Sequence, residues 1–132
     1  MPNILAVLST VALLTGCLGD IADRQIARAA AEVNSECPQI VDNDMRLDSV
    51  AAAPGRRLLY YFTLPRLATE EIDAAAFDSI RRANAISFLR ESDNPYLALL
   101  HVGGTTFCYR VRDRNGLLFW TLDITPEMYK KN

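Results

Sequence analysis

The chain has 132 residues, half of them hydrophobic, with 14 basic and 16 acidic side chains and a formal net charge of -2. That length suits one domain with an ordinary core, and the balanced charge excludes an overall field for nucleic acid or anionic lipid. Six glycines, six prolines and three cysteines exclude a collagen-like repeat, a disordered tail and a disulfide-dense miniature. The first element in chain order is a run of apolar and small residues from Ile4 to Leu14, and the first charged side chain is Asp20. A spanning helix needs about 20 apolar residues and this stretch reaches only about 15, so a signal-peptide core is expected.

Leu14-Thr15-Gly16-Cys17 closes that run. It resembles the lipobox of bacterial lipoproteins, in which a large apolar residue and two small ones precede the cysteine. The resemblance implies diacylglycerol on the Cys17 thiol, cleavage between Gly16 and Cys17, and two or three acyl chains as a stable anchor. Small side chains at 15 and 16 let a peptidase close on the backbone, and the thiol is the nucleophile that becomes a thioether. Met1-Pro2-Asn3 carries no Lys or Arg, unlike the usual opening of a signal peptide, so either the amino terminus supplies the charge or the true start lies upstream. The alternative is a cleaved secretory signal or short anchor with Cys17 incidental. Leu18, where an Asp would favour inner-membrane retention, implies the outer membrane.

With Cys17 assigned to lipid, Cys37 and Cys108 remain, and an even pair in an oxidising compartment predicts one disulfide. Its loop of about 70 residues would contribute around 4 kcal/mol in the chain-entropy account. A redox pair or a metal site is the alternative, against which stand the absence of C-x-x-C and the presence of a single histidine.

In the mature chain, Ile21, Ala22, Ile26, Ala29, Ala30 and Val33 recur at helical spacing opposite Arg24, Arg28 and Glu32, which predicts a short amphipathic helix ending by Cys37-Pro38. Its apolar stripe is expected on a sheet. Arg46 to Ala52 and Arg57 to Leu64 flank Ala53-Pro54-Gly55-Arg56, a turn sequence that predicts a hairpin. Leu58, Tyr60, Phe62 and Leu64 alternate with Leu59, Tyr61 and Thr63, so this strand is apolar on both faces and expected to be central or covered on both sides. Thr69 is the expected N-cap of a second helix, with Glu70 and Glu71 in its first turn and Ile72, Ala76, Phe77, Ile80 and Ala83 along one face. Asn94-Pro95 starts a further piece that Gly103-Gly104 stops. Thr105 to Arg112 and Leu117 to Thr125 flank Asp113-Arg114-Asn115-Gly116, a strong hairpin signal. Helix, hairpin, helix, hairpin predicts an α+β domain with a four-stranded antiparallel sheet and two main helices, spanning 17–132 after a signal peptide over 1–16.

Val41-Asp42, Arg46 to Val50, Pro54-Gly55, Leu59 to Leu64, and Gly104-Thr105-Thr106 with Tyr109, Asp113 and Gly116 resemble a group of small exported bacterial proteins without assigned function, over residues 36 to 125. Members often carry a cysteine near position 88 and another near the C-terminus. Phe88 and Tyr129 occupy those regions here, so neither the group's disulfide pattern nor a function carries over.

Candidates for chemistry are few. His101 is the sole histidine, in an apolar run with no placed nucleophile, and suits a surface or helix-capping role. Asp42, Asp44 and Asp48 beside Asn43 invite a calcium reading, but the loop lacks the Gly and Glu register of an EF-hand and is expected to be a solvated loop. Gly103-Gly104 lacks the context of a phosphate loop. Arg110, Arg112 and Arg114, with Arg56-Arg57, form a patch for an anionic partner or guard an edge strand. Tyr60, Tyr61, Phe119 and Trp120 are core, or an exposed partner surface where the helices leave them uncovered.

These observations point to a non-enzymatic envelope lipoprotein with no cofactor and no catalytic or metal-ligating residue. It is membrane-anchored through Cys17, faces the periplasm and binds another envelope component, as pilot proteins, assembly factors and periplasmic inhibitors do. Tyr60, Tyr61, Trp120, Arg110 and Arg112 are the candidate partner surface. The rival readings are an envelope hydrolase built from Glu70, Glu71, Asp42, Asp48 or His101, and a purely structural lipoprotein.

Overall fold

A computed structural model describes residues 21–130, so the signal-peptide and lipobox readings, with Gly16 and Cys17, lie outside the described residues. Helix α1 spans residues 21–35 and buries Ala22, Ile26, Ala29 and Ala30, the predicted stripe. Strands β1 (Gln39–Asp42), β2 (Met45–Ala53) and β3 (Arg57–Thr63) follow, then a 3-10 turn over Thr69–Glu71. Helices α2 (Ala74–Glu91) and α3 (Pro95–Val102), strands β4 (Thr106–Arg112) and β5 (Leu118–Ile124), and a short α4 (Pro126–Tyr129) complete the chain.

The α+β class and both hairpins match the sequence reading, but the sheet does not. It has five strands in the order β1-β2-β3-β4-β5, and β3 pairs with β4 in parallel. Each predicted hairpin, β2 with β3 and β4 with β5, is antiparallel. Their mutual orientation is set by the crossover: β3 ends at Thr63 on one end of the sheet, and α2 and α3 return the chain to the other end, where β4 starts. Such a return is what a parallel pair requires. The extra strand, β1, was expected to be loop. Ile40 and Val41 are 74% and 50% exposed, so no buried alternation marks it in the sequence.

One face of the sheet and all four helices share a single core that includes Ile26, Val50, Leu58, Phe62, Leu89, Leu100, Phe107, Val111, Ile124 and Tyr129. β3 is the central strand, as its two apolar faces predicted. The Asn34 side chain closes the end of α1 onto β2: its carboxamide accepts from the Val50 amide at 2.7 Å and donates back to the Val50 carbonyl. β1 has its last β2 partner at Leu47, so Asn34 supplies the hydrogen bonds that a longer edge strand would make. At the opposite end Asp113 is fully buried and accepts from Thr69, Asn115 and Leu117, joining the β4–β5 turn to the start of the crossover.

The expected Cys37–Cys108 bridge is not formed; both residues are free thiols. The topology separates them. Cys108 is buried in β4 opposite Leu59 and hydrogen-bonds Asp123 of β5, whereas Cys37 precedes β1, beside Asp48 of β2 and Glu36. Burial first, and then the Asp123 carboxylate, pushes the Cys108 thiol up to about 11.

Candidate protein-binding groove

Alternation along the strands divides the predicted partner surface between the two faces of the sheet. Tyr60 and Trp120 face the helices; Tyr61, Arg110 and Arg112 belong to the opposite face, with Leu59, Thr63 and Cys108. There Arg110 pairs with Asp123 at 2.8 Å and Arg112 donates to the Gly116 carbonyl at 3.0 Å. β4 has neighbours on both sides, so these arginines do not guard an edge. Arg114 pairs with Glu71 at 3.1 Å.

The helix-covered face holds the site. Helix α2 has 18 residues and only Leu89 is fully buried. The predicted stripe is displaced: Ala76 and Ala83 are exposed and Ile80 is 58% exposed, while Phe77, Arg81, Ala85 and Leu89, four residues apart, face the sheet. The helix also starts later than expected, with Asp73 rather than Thr69 as the N-cap, accepting from the Ala76 amide at 3.1 Å. Between α2 and the sheet lies an apolar cavity of about 410 Å³. Met45, Leu47, Tyr60, Phe62, Tyr109, Val111 and Trp120 form its floor; Phe77, Arg81, Ala85, Phe88 and Leu89 form its roof. Val41 of β1 and Phe88 of α2, 50% and 61% exposed, mark where it opens.

Aromatic packing fixes this shape. On the floor Tyr60 stacks on Tyr109 with centroids 5.2 Å apart, and Phe62 lies 5.8 Å from Tyr109. Nearer the amino-terminal end of α2, Phe77 sits edge-on to Phe119 and Trp120 at 5.1 and 5.4 Å. The Trp120 indole N–H donates to Asp78 at 2.9 Å, and Arg81 lies over the Phe77 ring while pairing with Asp42 at 2.9 Å. At the other end of the helix Leu89 is buried and Arg90 donates to the Met128 carbonyl at 2.8 Å. The helix is therefore pinned near both ends, and the space lies between the pins.

Burial pushes the Tyr60 phenol up to about 12 and moves Tyr109 further the same way. Both stay neutral at physiological pH, and as groove-wall hydroxyls they can donate or accept a hydrogen bond. A second cavity of about 490 Å³ shares Tyr60, Phe88 and Leu97 with the first and runs toward α1 and α3, where Glu32, Glu36, Asn94 and Tyr96 line it. The two adjoin at these three residues, the first apolar and the second acidic where Glu32 and Glu36 line it.

The residues considered for catalysis are engaged elsewhere. Asp42 caps its own turn by accepting from the Asp44 amide and pairs with Arg81; burial raises its carboxyl, but these bonds outweigh it and hold the group below the usual range. Asp48 binds Arg46 and Thr63, Glu71 binds Arg114 and the Ala68 amide, and His101 stacks on Tyr129 at 4.3 Å. None of them, nor Glu70, lines the groove. Asp44 pairs with Arg66, so the acidic cluster is spent on ion pairs and a turn. Among the described residues no group of three His, Cys, Asp or Glu is placed to hold a metal ion. Of the groove-lining residues of α2, Phe77 stands on the expected apolar face, whereas Arg81, Ala85, Phe88 and Leu89 do not; the available signal was a helix with apolar residues at 77, 80, 85, 86, 88 and 89, too many for one stripe.

No family model matches the sequence, and no curated protein matches it. Solved structures do. The chain is similar to the pilotin EpsS of the Vibrio vulnificus type 2 secretion system, with a TM-score of 0.70 at 11% identity, covering 89% of this chain and 99% of that one. It is also similar to the type II secretion system pilotin AspS of Vibrio cholerae, with a TM-score of 0.65 at 13% identity over 86% and 97% of the two chains. A Pseudomonas aeruginosa protein described as secreted matches with a TM-score of 0.59 at 15% identity, over 81% and 95%. The fold is thus shared with pilotins. Among the described residues no helix is long and apolar enough to cross a membrane.

Proposed function

We propose that this protein is a non-enzymatic envelope helper of the pilotin kind. Acyl chains on Cys17, exposed by cleavage after Gly16, hold it at the outer membrane, and the groove beneath α2 binds the apolar face of a helix from a secretion-system subunit. The observation that carries this reading is an 18-residue helix that roofs an apolar cavity of about 410 Å³ and fully buries one residue. A helix whose apolar face is only partly buried by its own core presents surface for another chain, and an open groove takes anchors at helical spacing. Two joined cavities accept several anchors, more than one side chain would fill. The likeness to pilotin structures supports the choice of partner.

The test has two arms. Cys17→Ser should leave the precursor uncleaved and release the protein from the membrane fraction. Ala85→Trp should fill the groove, leave the folded protein at normal abundance, and stop a co-expressed type II secretion channel subunit from reaching the outer membrane. Normal delivery by that variant would overturn the groove reading.

A further inference from the structure

We propose that the end of the domain nearest residue 21 seats directly on the bilayer, with Val102, Leu99 and Ile21 in the headgroup layer and Arg56 and Arg57 against phospholipid phosphates. This rests on the Cys17 anchor proposed above. Four residue steps separate Cys17 from Ile21, so a lipid on that thiol keeps the start of α1 within about 14 Å of the lipidated residue even when the linker is fully extended.

What lies at that end fits a membrane. Gly103 packs against α1, a Cβ there standing 3.6 Å from that of Ala22, which sets the end of α3 beside the start of α1. Three large apolar side chains around this junction are left in solvent: Val102 is 89% exposed, Leu99 51% and Ile21 46%. The β2–β3 turn joins them, because Arg56 reaches the Gly103 carbonyl. Although the whole chain carries a net charge of -2, this end holds Arg24, Arg56, Arg57, Arg90 and Lys130 against Asp23, Glu127 and Asp123, with Glu127 paired to Lys130 and Asp123 to Arg110. Apolar side chains ringed by Lys and Arg are the composition that binds the bilayer interface, each cation near an anionic surface adding to the attraction. The first cavity opens at Val41 near the β1–β2 turn, away from this end, so seating it leaves that opening facing the periplasm.

The experiment uses the full-length lipidated protein in vesicles of phosphatidylethanolamine and phosphatidylglycerol with a lipid-borne quencher. A fluorophore is placed through Val102→Cys or, as control, through Ile80→Cys on α2, each with Cys37→Ala. Both sites are exposed, so neither label disturbs the core. Quenching should be several-fold stronger at 102 than at 80, and Arg56→Glu with Arg57→Glu should shift the seating equilibrium by about fivefold per residue. Equal quenching at the two positions on acylated protein overturns the seating alone. Unacylated protein in the soluble fraction overturns the anchor, and the seating with it.

Discussion

Helices α1 and α2 cover the same face of one sheet in opposite ways. α1 spans 15 residues and fully buries four of them, and its last turn is tied to β2 by Asn34. α2 is longer, buries Leu89 alone, and is held by the Phe77–Trp120 contact, the Trp120–Asp78 hydrogen bond and the Arg81–Asp42 pair. One helix is spent on stability. The other leaves a groove open beneath it, and only part of its apolar face joins the core.

The contrast is sharpest in truncation. Ile26→Ala should cost about 2–5 kcal/mol in urea unfolding, because Ile26 is 2% exposed and leaves a cavity that its neighbours cannot fill. Phe88→Ala, on α2, should stay within about 0.5 kcal/mol and instead weaken partner binding by about 10- to 100-fold. Equal destabilisation by the two would break the comparison. Next in size, Asn34→Ala should cost about 1–3 kcal/mol, since the Val50 amide and carbonyl lose their partners. Ala85→Phe should do the reverse, raising stability by about 0.5–2 kcal/mol by filling the cavity while abolishing binding; titration calorimetry with the partner helix and a thermal melt distinguish these effects.

A smaller effect is expected in acid. Asp78 is held below its ordinary 3.8 by the hydrogen bond from Trp120 and then by Arg82. A carboxyl lowered by folding stabilises fully above its unfolded value and ceases to as pH falls through the folded one. The amino-terminal half of α2 should therefore loosen below about pH 4, seen as a Trp120 fluorescence change that precedes loss of far-UV circular dichroism. Asp78→Asn should remove that step. Last, a thiol reagent at neutral pH should modify Cys37 in the folded protein and spare Cys108, which is fully buried and whose thiol is raised to about 11; modification of neither would show a bridged pair.

Much of the fold was legible because it follows from local chemistry. The α1 stripe, the Pro54-Gly55 turn with Gly55 at φ 84°, and the Asn115-Gly116 turn with Gly116 at φ 82° are written in short windows of sequence. Tyr60 and Trp120, two of the residues expected to meet a partner, line the cavity beneath α2. Tyr61, Arg110 and Arg112 were grouped with them, although strand alternation sends them to the other face. The Cys37–Cys108 pairing was inferred from a count, and counting carries no distance.

The sequence by itself determined the main helical segments and the β2–β3 and β4–β5 hairpins, because turn chemistry and periodicity act over a few neighbouring residues. Only the tertiary structure decided that the two hairpins join in parallel, that a fifth strand edges the sheet, and that α2 stands off from it. Those features depend on contacts between residues far apart in the chain, such as Asp42 with Arg81 and Asp78 with Trp120, and no local window contains both partners.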